Sequence, residues 1–294
     1  MRMILVHGIN QEGKSAAKIV AEWLPVLHEH FQKVAIDPLA RLSRIEAAFY
    51  GDELAEFAGA PARSEAIAQG VDGGSDDFDM FAKDALADMG IKIGATSEMY
   101  AEELGDVTIP QGAGPHKKWV KAVARVIERI SPFKGRIALQ VVAQAYAYIR
   151  NAHAAAEIDK LVRPLFEDDE PLVIVSHSLG TIVCYKLLRT FEKEGRPRVC
   201  PLLLTLGSPL GIDVVRRGFP LPRNRPTDVM RWVNGADPED FVALRSALTA
   251  DNFGKCVDRN VSDIENGYDD PHDILQYLAD SRISEEIRCA ILGP

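Results

Sequence analysis

The chain has 294 residues, of which 47% are hydrophobic and 26% are charged, as in a globular protein large enough to bury a substantial core. Its formal net charge of −9 disfavours general attraction to nucleic acid or anionic membranes. No run approaches ~18 uninterrupted apolar residues, no leader-like segment precedes the first strand, and the four cysteines form no C-x-x-C pair. These features predict a cytoplasmic protein with reduced thiols and no transmembrane segment.

The first fifty residues alternate between strand and helix patterns. An apolar run, RMILVH, predicts a buried strand before Gly8, and apolar spacing predicts a helix over Ser15–Phe31 with Ser15 as its N-cap. The segment RIEAAFYGDEL predicts a second strand that runs out at Gly51. Strand, helix and strand in this order open a parallel α/β sheet.

An insertion is predicted over residues 59–135. Within it, Ser64–Asp106 carries eleven acidic residues against Lys83 and Lys92, which predicts short helices and partly mobile loops. An amphipathic helix follows over His116–Ile130, and its polar side is predicted to hold Lys117, Lys118, Lys121, Arg125 and Arg129. We favour a cap helix whose polar face is solvated or pairs with the acidic segment over a helix that lies on a membrane. The acidic run is more often a solvated face than a partner surface.

The α/β pattern returns after a helical stretch over Lys134–Phe166 with a break near Asn151. Strands are predicted in PLVIVS, VCPLLLTLGS, DVMRWVNG and GKCVDRNV. Helices are predicted over Leu179–Gly195, over Glu239–Leu248, and, as one or two helices, over His272–Leu292.

A phosphate-binding loop is one interpretation of the segment after the first strand, because Gly8–Ser15 spells G-x-x-x-x-G-K-S. An NTPase would place Lys14 on nucleotide phosphates and Ser15 on Mg²⁺. It would also need an apolar strand that ends in Asp, but the strongest later strands end in Ser and Gly. KVAID, which ends at Asp37, is short and follows the first helix directly. This interpretation therefore ranks second.

A nucleophile elbow is the stronger interpretation of the chain's chemistry. Between an apolar strand and an amphipathic helix, Ser176–Gly180 reads Ser-His-Ser-Leu-Gly, close to the elbow pattern G-x-S-x-G. Ser176 replaces the first glycine and keeps the residue small. Ser178 is the predicted nucleophile, at the positive end of the following helix.

A serine nucleophile needs a histidine base and an orienting carboxylate. His272 is the only histidine after Ser178 in the sequence, and it opens a helix beyond the last predicted strand. The carboxylate is sought after the strand DVMRWVNG, where Asp237, Glu239 and Asp240 lie. We favour Asp240, with Asp237 as the alternative, and expect the acid not used to cap the short helix from Pro238.

Two backbone donors are needed to stabilise an oxyanion. One is expected to be the N–H of Leu179, directly after the nucleophile. The other is expected to be the N–H of Ile9, in the loop after the first strand, where Gly8 allows close backbone approach.

These segments together resemble the α/β-hydrolase superfamily, and specifically its bacterial lipase- and esterase-like members. The matching segments follow the family's order: ILVHGIN, AAFYGDEL, LVIVSHSLGT, LLTLGSPLG, WVNGADPEDFVAL and PHDILQYL. The resemblance implies a mainly parallel sheet flanked by helices with a helical cap, and roles for Ser178, Asp240, His272, Ile9 and Leu179 as assigned above. It also implies pocket-adjacent positions for His7, Gly8, His177, Ser208 and Pro209.

The implied function is cleavage of a small-molecule ester or lipid-like substrate, without cofactor, metal or nucleic acid. H-E-x-x-H is absent and the seven histidines are dispersed without ligand spacing. A non-catalytic binding module on a hydrolase scaffold is a further alternative. Acyl or alcohol specificity, ester against amide, and oligomeric state stay open.

Overall fold

Six parallel strands form one sheet in the computed structural model of this protein, which describes residues 1–32, 36–59, 76–106, 115–130, 134–244, 247–267 and 270–293. Their spatial order is β2-β1-β3-β4-β5-β6. The strands are β1 (Arg2–Val6), β2 (Ile45–Ala48), β3 (Leu172–His177), β4 (Leu202–Leu206), β5 (Trp232–Gly235) and β6 (Arg259–Val261).

Helices and short 3₁₀ turns connect these strands along the described parts of the chain. The helices are α1 (Ala16–Phe31), α2 (Gly51–Ala58), α3 (Asp76–Lys92), α4 (Ser97–Asp106), α5 (Pro115–Ile130), α6 (Lys134–Arg150), α7 (Ala152–Val162), α8 (Leu179–Lys193), α9 (Asp213–Arg216), α10 (Ile274–Ala279) and α11 (Ser281–Leu292). The 3₁₀ turns are Pro38–Arg41, Arg163–Phe166 and Pro209–Gly211. The predicted parallel α/β class is therefore confirmed.

The central strands are buried from end to end, as expected for a parallel sheet covered on both faces. One face packs against α1, α10 and α11 through a cluster that includes Trp23, Tyr277 and Ile283. On α8, the ring of Tyr185 lies at a tilt against Trp232 of β5, with ring centroids 5.5 Å apart. Helices therefore pack against the sheet through buried side chains.

The register brings the carboxyl ends of the strands to one edge of the sheet. Val6 is level with Ser176, His177 with Leu206, and Leu206 with Gly235. In open parallel sheets, functional residues are concentrated at the carboxyl ends of the strands, because the loops that follow the strands begin there. The loops after β1, β3, β4 and β5 all start from it.

The chain divides into two compact units. The first contains the sheet and comprises Met1–Gly51, Glu157–Gly211 and Phe219–Pro294; the second comprises Asp52–Ala156 and Ile212–Gly218. The predicted insertion, 59–135, lies within the sequence range of the second unit. Its residues 60–75, 107–114 and 131–133 lie outside the described part of the chain.

The second unit is helical within the described residues. α3, α5 and α6 pack against one another through buried side chains that include Leu86, Val123 and Leu139. On α5, Arg129 pairs with Glu102 at 2.9 Å and Arg125 with Glu103 at 3.9 Å. Basic residues of α5 therefore form ion pairs with acidic residues of α4. The prediction is wrong for Lys121, which lies on the buried side of the helix.

Several other predictions from the pattern are confirmed, and three need correction. Ser15 caps α1, and the helical stretch after Lys134 breaks at Asn151. Strands β2, β5 and β6 are shorter than predicted: β2 ends at Ala48 and a helix begins at Gly51, β5 covers only the WVNG part of DVMRWVNG, and β6 covers only the RNV part of GKCVDRNV. α3, with 17 residues, is longer than the short helices expected there.

The third correction concerns the short helix predicted over Glu239–Leu248, because the described residues 239–244 form a turn and bends instead. None of the described helices combines the length and apolarity that a bilayer span requires.

Candidate active site

Ser178 occupies a strained turn between β3 and α8. Its backbone angles are φ 52° and ψ −126°, a region that costs a non-glycine residue about 1–3 kcal/mol. The Ser178 N–H donates to the Leu206 carbonyl at 2.9 Å, which ties the turn to β4. The side chain does not cap α8, so the hydroxyl is free to face other groups.

Two glycines let the backbone of β1 approach this turn closely. A methyl group added at Gly8 would lie 2.5 Å from Ser178 Cβ and 3.1 Å from Ser178 Oγ. One added at Gly180 would lie 2.5 Å from the His7 carbonyl oxygen and would also strike the Val6 carbonyl. Any side chain at either position would therefore displace the turn.

A chain of hydroxyl groups supports the turn from behind. The Leu210 N–H donates to Ser208 Oγ at 3.3 Å, and Ser208 Oγ lies 2.7 Å from Thr181 Oγ1. Thr181 Oγ1 in turn donates to the Ser178 carbonyl at 2.7 Å. The structure therefore places Ser208 behind the elbow, next to Pro209, which opens a buried 3₁₀ turn.

Ser178, His272 and Asp240 form one hydrogen-bonded line. Ser178 Oγ lies 2.8 Å from His272 Nε2, and His272 Nδ1 lies 2.7 Å from Asp240 Oδ2. Because a carboxylate only accepts, Nδ1 carries the imidazole proton and Nε2 accepts from the serine hydroxyl. All three residues are buried, His272 being 9% exposed.

Asp240, rather than Asp237, is the carboxylate that meets His272. Asp240 Oδ1 accepts the backbone N–H groups of Val242 and Ala243 at 2.8 and 3.2 Å, and these bonds replace the predicted helix with a side-chain-capped turn. Asp237 accepts from the N–H groups of Glu239 and Asn266 at 2.6 and 2.7 Å. Asp237 therefore joins the loop after β5 to the segment after β6, while His272 Nδ1 bonds Asp240.

Electrostatics at the histidine and the carboxylate favour an ion pair once a proton is added. Burial lowers the pKa of His272, but the charge of Asp240 and its hydrogen bond outweigh burial and raise this pKa above its ordinary value of 6.5. Burial raises the pKa of Asp240, but the charge of His272 and the accepted hydrogen bonds lower it to about 2. The carboxylate therefore stays ionised at neutral pH.

His7 fixes the loop that follows β1. Its Nδ1–H donates to the Gly8 carbonyl at 2.7 Å, and its Nε2 accepts the Tyr50 N–H at 3.2 Å. Burial lowers its pKa to about 4, despite the bond to Gly8, so the ring is neutral. A trans peptide sets N–H and C=O on opposite sides, so this bond turns the Ile9 N–H away from His7.

His177, directly before Ser178, connects the turn at Ser178 to the loop that carries His272. Its Nε2–H donates to the His272 carbonyl at 2.9 Å, and the two rings lie 4.6 Å apart. Burial and the neighbouring His272 hold the pKa of His177 well below its ordinary value. A neutral His177 can donate this one bond without adding positive charge beside His272.

Two further residues around this line were not predicted as site residues, although both lie in segments that carry the resemblance, LLTLGSPLG and PHDILQYL. Tyr277 of α10 donates its hydroxyl to Asp240 Oδ2 at 2.7 Å. Gly207, at φ +55°, presents its Cα side to the pair: an added methyl group would lie 3.0 Å from Asp240 Oδ2. Within those segments, Tyr277 is one apolar position of an amphipathic helix, and Gly207 is the residue that follows a strand and precedes the predicted Ser208 and Pro209.

The residues of the phosphate-loop interpretation have ordinary partners in the structure. Lys14 Nζ pairs with Glu22 Oε2 at 2.7 Å, and both side chains are partly exposed. Ser15 Oγ accepts the Lys18 N–H at 3.2 Å as a helix cap. Within the described residues, no group of His, Cys, Asp and Glu side chains is arranged to hold a metal ion.

Comparison with known proteins gives no relative from which a function could be transferred. No protein-family model, no curated protein and no solved structure matches the chain. The site has therefore to be interpreted from its own geometry.

Proposed function

We propose that this protein is a serine hydrolase of the α/β-hydrolase type that cleaves carboxylic esters through an acyl-enzyme intermediate. The observation that carries the proposal is the line Ser178 Oγ–His272 Nε2–Asp240, with distances of 2.8 and 2.7 Å, at a strained turn. Nucleophile (Ser178), orienting acid (Asp240) and base (His272) follow one another along the chain in the order typical of α/β-hydrolases. A buried serine held to a histidine by its hydroxyl has the geometry of an activated nucleophile.

The first half of the reaction forms the ester bond to the enzyme. His272 Nε2 takes the hydroxyl proton of Ser178 as Oγ attacks the substrate carbonyl. Asp240 stabilises the resulting imidazolium through Nδ1–H. The proton on Nε2 then passes to the leaving alcohol oxygen as the tetrahedral intermediate collapses to the acyl-enzyme.

The second half repeats these steps with water. His272 removes a proton from water, the resulting hydroxide attacks the acyl carbonyl, and Ser178 recovers its proton as the carboxylic acid leaves. The proposed oxyanion donors are the N–H groups of Leu179 and Ile9. Leu179 is the first residue of α8, where N–H groups have no intrahelical acceptor, and His7 orients the peptide that carries the Ile9 N–H.

The proposed substrate class, small-molecule or lipid-like esters, comes from the resemblance to lipase- and esterase-like proteins. A cytoplasmic location is proposed with it, because Cys184, Cys200, Cys256 and Cys289 are all free thiols. The nucleotide interpretation has less support, because Lys14 is engaged by Glu22 and Ser15 by its own helix.

The test is hydrolysis of p-nitrophenyl esters of increasing acyl chain length by the wild-type chain and by Ser178→Ala. We expect turnover of at least one chain length, with a loss of about 10⁶-fold in kcat for Ser178→Ala. Turnover that survives Ser178→Ala would overturn the proposal. Mg²⁺-dependent ATP or GTP binding lost in Lys14→Ala would favour the nucleotide interpretation instead.

A further inference from the structure

Tyr277 makes two hydrogen bonds, and together they fix the direction of its hydroxyl proton. The Asp237 backbone N–H donates to Tyr277 Oη at 3.0 Å, which occupies an acceptor position of the phenol oxygen. The phenol proton is then directed at Asp240 Oδ2, 2.7 Å away, because a carboxylate can only accept. Tyr277 is fully buried, so water does not compete for this bond.

The bond from Tyr277 ends on the same oxygen that holds His272. Asp240 Oδ2 accepts both His272 Nδ1–H and Tyr277 Oη–H at 2.7 Å, while Oδ1 accepts two backbone N–H groups. Each donor withdraws negative charge from the carboxylate. The donor on Oδ2 therefore acts directly on the oxygen that attracts the imidazole proton.

We propose that Tyr277 is a positioning residue that limits how strongly Asp240 holds a proton on His272 and fixes the plane of the carboxylate. This inference rests on the proposed function, in which His272 must be neutral to accept the proton of Ser178. Without the Tyr277 donor, more negative charge would remain on Asp240 Oδ2, and it would stabilise the protonated form of His272 further. The hydroxyl of Tyr277 weakens that hold while keeping Asp240 oriented.

Other groups that face His272 act in addition to Tyr277 and stay in place when Tyr277 is changed. The carboxylates of Asp270 and Asp273, which flank it in the sequence, raise its pKa. The neutral ring of His177 packs against it from the elbow. Tyr277→Phe removes the phenol bond to Asp240 and the acceptor of the Asp237 N–H, but it leaves Asp270, Asp273 and His177 in place.

The test is an NMR titration of the His272 imidazole in the full chain, with the signal assigned by its loss in His272→Gln. In Tyr277→Phe, we expect the pKa of His272 to rise by about half a unit or more. Asp240 Oδ2 loses a hydrogen-bond donor in this variant, so its negative charge stabilises the protonated imidazole more strongly. Tyr185→Phe removes another buried tyrosine hydroxyl, bonded to the Asn224 carbonyl, and should leave the titration unchanged. A folded Tyr277→Phe with an unchanged His272 titration would overturn the inference.

A second variant covers the case in which Tyr277→Phe does not fold, because it leaves the Asp237 N–H without its acceptor. Site-specific replacement of Tyr277 by 3-fluorotyrosine keeps both bonds and makes the phenol a stronger donor. We expect 3-fluorotyrosine at position 277 to lower the pKa of His272, whereas Tyr277→Phe should raise it. An unchanged or raised pKa of His272 in the fluorinated protein would contradict the inference. The titration needs no turnover, so it gives a result even if the chain hydrolyses no ester.

Discussion

Two serines precede helices in the sheet-containing unit, and they differ in every respect that matters for chemistry. Ser15 has extended backbone angles, φ −149° and ψ 163°, and its hydroxyl accepts the Lys18 N–H at the start of α1. Ser178 has φ 52° and ψ −126°, makes no side-chain cap to α8, and directs its hydroxyl to His272. Ser15 stabilises α1 as its N-cap, whereas Ser178 makes no cap bond to α8 and has a strained backbone.

The difference shows that backbone strain in this comparison is confined to Ser178, the serine that contacts His272. Strained backbone persists only where the surroundings enforce it, and such positions cluster at functional sites. At Ser178, the enforcing groups are the Leu206 carbonyl, the Thr181 hydroxyl and the close backbone of Gly8 in the loop after β1. The comparison predicts that changes around Ser178 affect catalysis, whereas changes at Ser15 affect only stability.

Asp240→Asn should have the largest effect among the residues that support Ser178. The amide would hold His272 in the wrong tautomer, and we expect kcat for ester hydrolysis to fall by about 10⁴-fold. Asp237→Asn is the matched control, because the Asp237 carboxylate accepts the backbone N–H groups of Glu239 and Asn266, whereas His272 Nδ1 bonds Asp240. Rate measurements that show an equal loss in both variants would contradict the assignment of Asp240.

Gly180→Ala should have the next largest effect. The added methyl group would strike the His7 and Val6 carbonyls and move β1 away from the elbow, which displaces the proposed Ile9 donor. Loss of one oxyanion donor lowers kcat by about 10²–10³-fold. Gly105→Ala in α4, where an added methyl group meets nothing within 4 Å, is the control and should keep full activity.

The pH dependence of kcat/KM should follow the ionisation of His272. The pKa of His272 is raised above 6.5, and only its neutral form accepts the proton of Ser178. The rate should therefore rise with pH to a midpoint above 6.5 and fall about tenfold for each pH unit below it. A profile that stays flat between pH 5 and 8 would exclude His272 as the base.

Ser15→Ala should have the smallest effect and only on stability. Loss of a serine N-cap costs about 1 kcal/mol, so the free energy of unfolding measured in urea should fall by that amount. The rate of the folded variant should match the wild type. A loss of activity without a loss of stability would restore a functional role to the Gly8–Ser15 segment.

Sequence reasoning predicted the parts of the site that depend on local pattern and chain order. Ser178 stands between an apolar strand and an amphipathic helix, and His272 is the only histidine that follows it. The choice between Asp237 and Asp240 depended on which of these two buried side chains the loop directs at His272. That turn is made by bonds from Asp240 to Val242 and Ala243, which also explain why the helix predicted there does not form.

Other features could not be found in the sequence, because burial and long-range contacts decide them. Tyr277 occupies a core position of α10, and only its contact with Asp240, 37 residues away, reveals a different role. Lys121 looks like part of a solvated helix face, yet packing within the second unit buries it. Gly207 gains its importance from the approach of Asp240 and His272, which the strand pattern does not contain.

The central claim is that Ser178 is an activated nucleophile, and covalent labelling tests it most directly. A fluorophosphonate probe should phosphonylate Ser178 Oγ with loss of fluoride, and mass spectrometry of the digested protein should place the adduct on the peptide that contains Ser178. Labelling should disappear in Ser178→Ala and persist in Ser15→Ala. No adduct on the folded wild-type chain, or an adduct that survives Ser178→Ala, would contradict the account.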